Sequence, residues 1–169
     1  MLRSIAYSFV LTLIAGCSHR LEVEPLARGL ETAWKPEQRE LKLLLRPENK
    51  NGRTILHCVL TNVSWQSIDV DASRLPWLNA DLFSMDAVTA EGKVIHKDPP
   101  VQVARISNPP RPVPIAPGQS MEGDVELSAT RIGDLPRSED LLLLWSFWIG
   151  DGHTDKGVEL SGVTLLKAM

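Results

Sequence analysis

Apolar and polar residues alternate with a period of two along most of the chain from residue 40 onward. Leu41, Leu43 and Leu45 form the first such series, and similar series recur to the end of the chain. Alternation of this kind is typical of β-strands with one buried face, because successive side chains of a strand point to opposite sides. The pattern predicts strands over residues 41–45, 54–62, 68–72, 81–89, 93–97, 101–106, 121–128, 140–149 and 158–166.

Short strands separated by turn signals are typical of antiparallel sandwiches and barrels. Residues 140–149 are nearly all apolar, which predicts a central strand buried on both faces. The stretch from Ile115 to Ser120, just before an alternating strand, resembles the turn that precedes the fifth strand of many bacterial immunoglobulin-like domains. We predict an all-β fold, an immunoglobulin-like antiparallel β-sandwich of about nine short strands. A small β-barrel is the alternative.

The N-terminus has a different pattern, a short apolar run that ends in a cysteine. Arg3 precedes residues 5–16, which are mostly apolar, and the run closes as Leu13-Ile14-Ala15-Gly16-Cys17. It has the shape of a secretory signal and is shorter than the ~20 apolar residues that cross a bilayer. The run resembles the lipobox of bacterial lipoproteins. The resemblance implies cleavage after Gly16, a diacylglycerol group on the Cys17 sulfur and an acyl group on its nitrogen.

This resemblance implies three segments and a location in the bacterial cell envelope. Residues 1–16 are the predicted lipoprotein signal peptide, residues 17–39 a lipidated N-terminus and tether, and residues 40–169 the β-sandwich domain. Residues 26–35 of the tether can form one or two helical turns. In enterobacterial lipoproteins an aspartate after the cysteine tends to retain the protein in the inner membrane, so Ser18 favours the outer membrane, facing the periplasm.

Charge and cysteine content narrow the possible partners. The chain has a net charge of −3 and no block of basic residues, which argues against a nucleic-acid partner. If Cys17 carries lipid, Cys58 is the only thiol left, and an internal disulfide cannot form. Cys58 lies on the apolar face of a predicted strand, so we expect a buried cysteine that acts as a small hydrophobe.

Proline is concentrated in one part of the chain. Seven of the twelve prolines fall between Pro99 and Pro117, which predicts a sheet edge or a loop and excludes a central strand. Residues 108–114 favour polyproline II geometry with an exposed backbone. We expect this loop to bind a partner or, alternatively, to be a rigid crossover that protects a sheet edge. The candidate contact residues are Pro109, Pro110, Arg111, Pro112 and Val113.

Tryptophan supplies a further candidate contact. Of the five tryptophans, Trp77 lies in a predicted loop and is either a surface anchor or a plug for the open end of the sandwich. Trp145 and Trp148 are three residues apart in a predicted strand, so we expect them on opposite faces.

The chain contains no recognisable set of catalytic residues, and we predict no enzyme and no cofactor beyond the covalent lipid. The leading interpretation is a non-catalytic recognition or assembly module, anchored by lipid, that binds another envelope protein. One alternative is a protease inhibitor that presents Arg111 on the proline-rich loop. Another is a small-ligand or metal carrier that uses Asp151, His153 and Asp155, although these residues also suit a polar hairpin turn.

Overall fold

The computed structural model of the protein describes residues 22–33, 40–95, 111–130, 132, 133, 135, 136, 138–150 and 157–168. It contains one α-helix, α1 (Val23–Ala33), and short 3-10 helices at Ala72–Arg74, Pro76–Leu78, Ala80–Leu82 and Leu127–Ala129. The strands are β1 (Leu41–Lys50), β2 (Arg53–Asn62), β3 (Ile68–Asp71), β4 (Ser84–Val88), β5 (Val94–Ile95), β6 (Pro112–Ile115), β7 (Ser120–Glu126), β8 (Leu141–Gly150) and β9 (Gly157–Leu166).

The strands form three antiparallel sheets. A three-stranded sheet has the order β1-β2-β7, a four-stranded sheet has the order β5-β4-β8-β9, and β3 pairs with β6. Alternate residues of the two larger sheets face each other and make one core, with Leu43, Leu56 and Cys58 on one side and Leu143 and Phe147 on the other. The predicted all-β sandwich is confirmed. The described sheets end in edge strands, so they do not form the alternative barrel.

Strand β8 lies at the centre of the packing. Every residue of β8 is buried except Trp148, which is half-buried. Leu143 and Trp145 belong to the core between the sheets, whereas Leu142 and Leu144 face the opposite side and pack beneath α1. The prediction of a strand buried on both faces is therefore confirmed, and the two predicted faces of Trp145 and Trp148 are observed.

Helix α1 is longer than the sequence indicated. The one or two helical turns expected within residues 26–35 are present, but they belong to a helix that begins earlier, at Val23, and spans 11 residues. Val23 and Ala27 are four positions apart, so both lie on one face, and both are buried against the outer side of the four-stranded sheet. Pro25 lies in the first turn, where a helix does not need the missing N–H. Residues 17–21 and 34–39 of the predicted tether lie outside the described residues.

An ion pair in its first turn helps to hold α1 to the domain. Glu24 forms ion pairs with Arg28 on the helix and with Lys167 beyond β9. The hydrogen bonds from Lys167 and Arg28 lower the pKa of Glu24 to about 2. Among the helices within the described residues, none has both the length and the apolar character needed to span a bilayer.

Several predicted strands have different lengths in the structure. The strand predicted over 41–45 continues to Lys50, and the strand predicted over 68–72 ends at Asp71. The strand predicted over 81–89 occupies only Ser84–Val88, because residues 80–82 form a 3-10 helix, and the strand predicted over 121–128 ends at Glu126. The strand predicted over 101–106 lies outside the described residues. The proline-rich stretch contributes the unpredicted strand β6.

Candidate functional site

The most exposed large apolar side chain among the described residues lies in the β2–β3 loop (residues 63–67). The side chain of Trp65 is 84% exposed, and Val63 in the same loop is 51% exposed. A tryptophan side chain has a large apolar area, and a folded domain normally buries most of it. Tryptophan is enriched at protein interfaces, so an exposed tryptophan is a candidate contact for another molecule.

A single buried side chain fixes the conformation of this loop. Asn62 is fully buried, and its Nδ2 donates to the carbonyl oxygens of Gln66 and Ile115, both at 2.7 Å. Its Oδ1 accepts from the backbone N–H of Ser64 at 2.9 Å and from the Ser64 hydroxyl at 2.8 Å. The amide thus uses both donors and both acceptor positions. It ties the loop to itself and to β6.

Further bonds tie the loop and its base to the neighbouring strands. The Ser64 hydroxyl shares its single hydrogen between Asn62 Oδ1 and the carbonyl oxygen of Gln66, which lies 2.9 Å away, and it accepts from the backbone N–H of Gln66 at 3.2 Å. The backbone N–H of Val63 donates to the carbonyl oxygen of Glu40 at 2.9 Å, and that of Gly118 donates to the Asn62 carbonyl at 2.9 Å. Trp65 is therefore carried by a loop whose backbone is already ordered, so binding through it costs little additional conformational entropy.

An open depression of about 410 Å³ lies beside Trp65. Trp65 and Ile68 contribute apolar side chains to its lining, and Glu40 and Asp69 contribute acidic ones. The remaining lining residues, Ser64, Gln66 and Ser67, are polar. A surface of this composition suits an apolar side chain that stands next to a lysine or arginine, because the carboxylates attract the cation.

The predicted contact residue Trp77 has a different environment. It is half-buried in the 3-10 helix Pro76–Leu78 and packs against the core between the sheets. Its ring lies on Gly123 of β7, where a β-carbon would come within 2.3 Å of the Trp77 Cγ. The neighbouring Leu78 is 63% exposed. The described contacts of Trp77 are thus those of a side chain that fills space between the sheets.

The proline-rich segment forms a sheet edge, as predicted. Pro112 and Val113 belong to β6, which pairs with β3 and with no other described strand, and Val113 is opposite Val70. The expected exposed polyproline II backbone is wrong for β6, because this part is a paired strand. Pro109 and Pro110 lie outside the described residues. Proline cannot donate to another strand, so Pro112 protects the edge.

Buried Asp71 holds the start of this edge in place. Its Oδ1 accepts from the Ser73 hydroxyl at 2.6 Å and from the backbone N–H of Arg111 at 3.1 Å. Burial alone raises the pKa of Asp71, but the bonds from Ser73 and Arg111 outweigh it, and the pKa lies below its usual value. The Oδ2 lies 3.3 Å from Nε of Arg74, whose guanidinium carbon is 5.1 Å from the centre of the Trp148 ring.

The side chain of Arg111 is exposed, but its backbone is engaged within the domain. Its N–H donates to Asp71, and its carbonyl oxygen accepts from the N–H of Ala72 at 2.8 Å. An inhibitory loop commonly offers such backbone groups to the protease as an added strand. At Arg111 both groups already have partners.

Charged residues cover the outer face of the three-stranded sheet. Nδ1 of His57 lies 2.8 Å from Oδ1 of Asp124, and its Nε2 lies 3.4 Å from Glu122. The hydrogen bond to Asp124 raises the pKa of His57, and the same bond lowers the pKa of Asp124. These exposed pairs are typical of a solvated sheet face.

The structure does not describe the residues of the predicted metal carrier. Asp151, His153 and Asp155 lie outside the described residues, as does Cys17. The described part of the chain contains no group of three His, Cys, Asp or Glu side chains arranged to hold a metal ion.

Sequence reasoning missed Trp65 as a site. A signal was present, because Asn62, Ser64 and Gln66 surround the tryptophan at the end of a predicted strand, and Asn and Ser often fix turns with their side chains. Nothing in that pattern indicates whether the turn hides or displays its tryptophan. Comparison of the sequence with protein-family models and with curated proteins finds no match.

Proposed function

We propose that this protein is a lipid-anchored, non-catalytic recognition module that binds another envelope protein through the β2–β3 loop. The observation that supports this most is the 84% exposure of Trp65 on a loop whose backbone Asn62 holds in place. Tryptophan is among the residues that contribute most to the free energy of protein–protein association.

Trp65 combines a large apolar area with a loop that is already ordered. A partner that covers Trp65 and Val63 removes a large apolar area from water, which is favourable by a free energy of ~25 cal/mol per Å² of that area. A flexible loop loses part of this gain when it becomes ordered on binding. The bonds of Asn62 and Ser64 make that loss small here, because the loop already has one conformation.

The depression beside Trp65 supports a protein partner of definite chemistry. Its open shape and polar lining contrast with the enclosed, mostly apolar pockets that hold small molecules. Glu40 and Asp69 in its lining favour a positively charged group. We infer that the partner inserts an apolar side chain adjacent to a lysine or arginine.

The anchor in this proposal is the lipid on Cys17. Its support is the resemblance of Leu13-Ile14-Ala15-Gly16-Cys17 to the lipobox. Each buried acyl methylene contributes ~0.8 kcal/mol, so two or three chains bind a membrane firmly. Ser18 favours the outer membrane, with the domain in the periplasm.

The test is cross-linking and affinity capture of the full chain from intact envelopes, with three forms compared. We expect one dominant envelope protein with the wild type and with Leu78→Ala, a matched control that removes another exposed apolar side chain. Trp65→Ala is expected to lower its recovery roughly 30-fold, as loss of a ~2 kcal/mol contact requires. Equal recovery with Trp65→Ala, or capture of nothing but lipid and abundant porins, would contradict the proposal.

A further inference from the structure

We propose that the β2–β3 loop faces away from the membrane that holds Cys17, so that its partner is a protein outside that bilayer. This inference rests on the proposed function and adds the direction from which the partner approaches. It follows from where the chain leaves the domain and from how few residues precede that point.

The sandwich has two ends, which the lining of its cavities identifies. Arg53 at the start of β2, Leu141 at the start of β8 and Lys167 after β9 line one cavity, and we call this the proximal end. The β2–β3 loop lies at the other end of β2, next to Glu40 and Gly118, and we call this the distal end. Exposed Trp65 is therefore at the distal end.

Helix α1 begins at the proximal end. Glu24 in its first turn pairs with Lys167, and Nζ of Lys167 lies 3.0 Å from Asp140, next to the start of β8. Val23 is buried against the sheet, so the first turn is held by packing as well as by charge. The chain that leads back to Cys17 thus leaves the domain at the end opposite Trp65.

The reach of that chain excludes one orientation. Four residues lie between Cys17 and Glu22, the first described residue, so the Cα atoms of Cys17 and Glu22 are at most ~18 Å apart when the chain is fully extended. Strand β2 has 10 residues and is about 30 Å long. If Trp65 faced the bilayer that holds Cys17, the proximal end would stand about 30 Å above that bilayer. The connecting chain is too short for this arrangement.

The acidic residues beside Trp65 also favour a β2–β3 loop that faces away from the bilayer. Glu40 and Asp69 line the depression beside Trp65, and anionic lipid headgroups repel carboxylates. The distal loop therefore suits a basic segment of a protein that approaches from the aqueous side.

The test measures energy transfer from a fluorophore on the full lipidated chain to an acceptor lipid in phosphatidylethanolamine–phosphatidylglycerol vesicles. The fluorophore is attached at Val63→Cys on the distal loop or at Arg53→Cys at the proximal end, both at exposed positions. The native Cys58 is buried and does not compete for the label. We expect transfer from position 53 to be at least about twofold greater than from position 63, because the added separation is about 30 Å.

Two further forms make the result decisive. Cys17→Ser should abolish transfer from both positions, and a long Gly-Ser insertion between Cys17 and Glu22 should reduce the difference between them. Equal or greater transfer from position 63, or transfer that persists in Cys17→Ser, overturns the inference. If transfer is equal while capture still depends on Trp65, only the orientation is wrong. If transfer is graded while capture ignores Trp65, the proposed function is wrong.

Discussion

Replacement of the buried Asn62 is the sharpest test of what fixes the conformation of the β2–β3 loop. Asn62→Ala removes four hydrogen bonds, two to the carbonyl oxygens of Gln66 and Ile115 and two from Ser64. The side chain is 0% exposed, so water does not replace these bonds without a change in the structure.

The magnitude follows from the four bonds. A hydrogen bond contributes a net ~1 kcal/mol to stability, and a buried group that loses its partner costs ~1–3 kcal/mol. The bond to Ile115 is buried, whereas the bond to Gln66 and those from Ser64 are part-buried. We expect the free energy of unfolding to fall by about 3 kcal/mol, a large share of the ~5–15 kcal/mol of a typical domain.

Urea unfolding followed by circular dichroism measures this change. With a slope of ~2 kcal/mol per molar urea, the midpoint falls by about 1.5 M. Two controls accompany it: Ser67→Ala at an exposed position of the loop, and Trp65→Ala, which removes an 84% exposed side chain. Each should leave the free energy of unfolding within ~0.5 kcal/mol of the wild type. A midpoint for Asn62→Ala that matches these controls would refute the assigned role of the amide.

Three other outcomes follow from the packing and the ionisable groups. Gly123→Ala should lower the free energy of unfolding by ~1–3 kcal/mol, because the new β-carbon would meet the Trp77 ring at 2.3 Å. In thermal melts, the Gly123→Ala/Trp77→Ala double variant should lose less stability than the sum of the two single variants. His57 binds a proton more readily in the folded state, because its hydrogen bond to Asp124 raises its pKa. The contribution of the protonated His57 to the free energy of unfolding is therefore complete below pH ~6.5, and it is lost as the pH rises through the raised pKa of the folded state. Urea midpoints of wild type and His57→Gln should differ at acidic pH and converge at alkaline pH, and a constant difference would argue against the pairing. Burial raises the pKa of Cys58 to about 12, so in the Cys17→Ser form this thiol should resist a disulfide reagent at pH ~8 until urea unfolds the chain; stoichiometric reaction of the folded protein would contradict its burial.

Much of the sandwich could be read from local patterns. The alternation of Leu41, Leu43 and Leu45 placed the first half of β1 correctly, because a strand with one buried face needs apolar side chains at every second position, but the strand continues to Lys50. The unbroken apolar run of β8 indicated burial on both faces for the same reason. The length of helix α1 was underestimated, since Pro25 and the mixed charges around Pro25 gave little sign of the sheet surface that stabilises the helix.

The candidate site was less accessible to sequence reasoning. Trp65 and Trp77 both lie in short segments between strands, and the sequence left Trp77 as either a surface anchor or a plug and did not single out Trp65. In the fold, Trp77 packs over Gly123 of a distant strand, whereas Trp65 remains 84% exposed. Burial depends on which strands neighbour a loop, and local sequence does not contain that information.

The sequence by itself determined the strand pattern, the proline-protected edge and the resemblance of the N-terminus to a lipobox, because each depends on residues close together in the chain. The tertiary structure decided which tryptophan is displayed and where the chain leaves the domain. Asn62 reaches Ile115 across 53 positions, and Glu24 reaches Lys167 across 143. Contacts over such separations exist only once the sheets have packed, and they set the shape of the β2–β3 loop and the position of α1 on the four-stranded sheet.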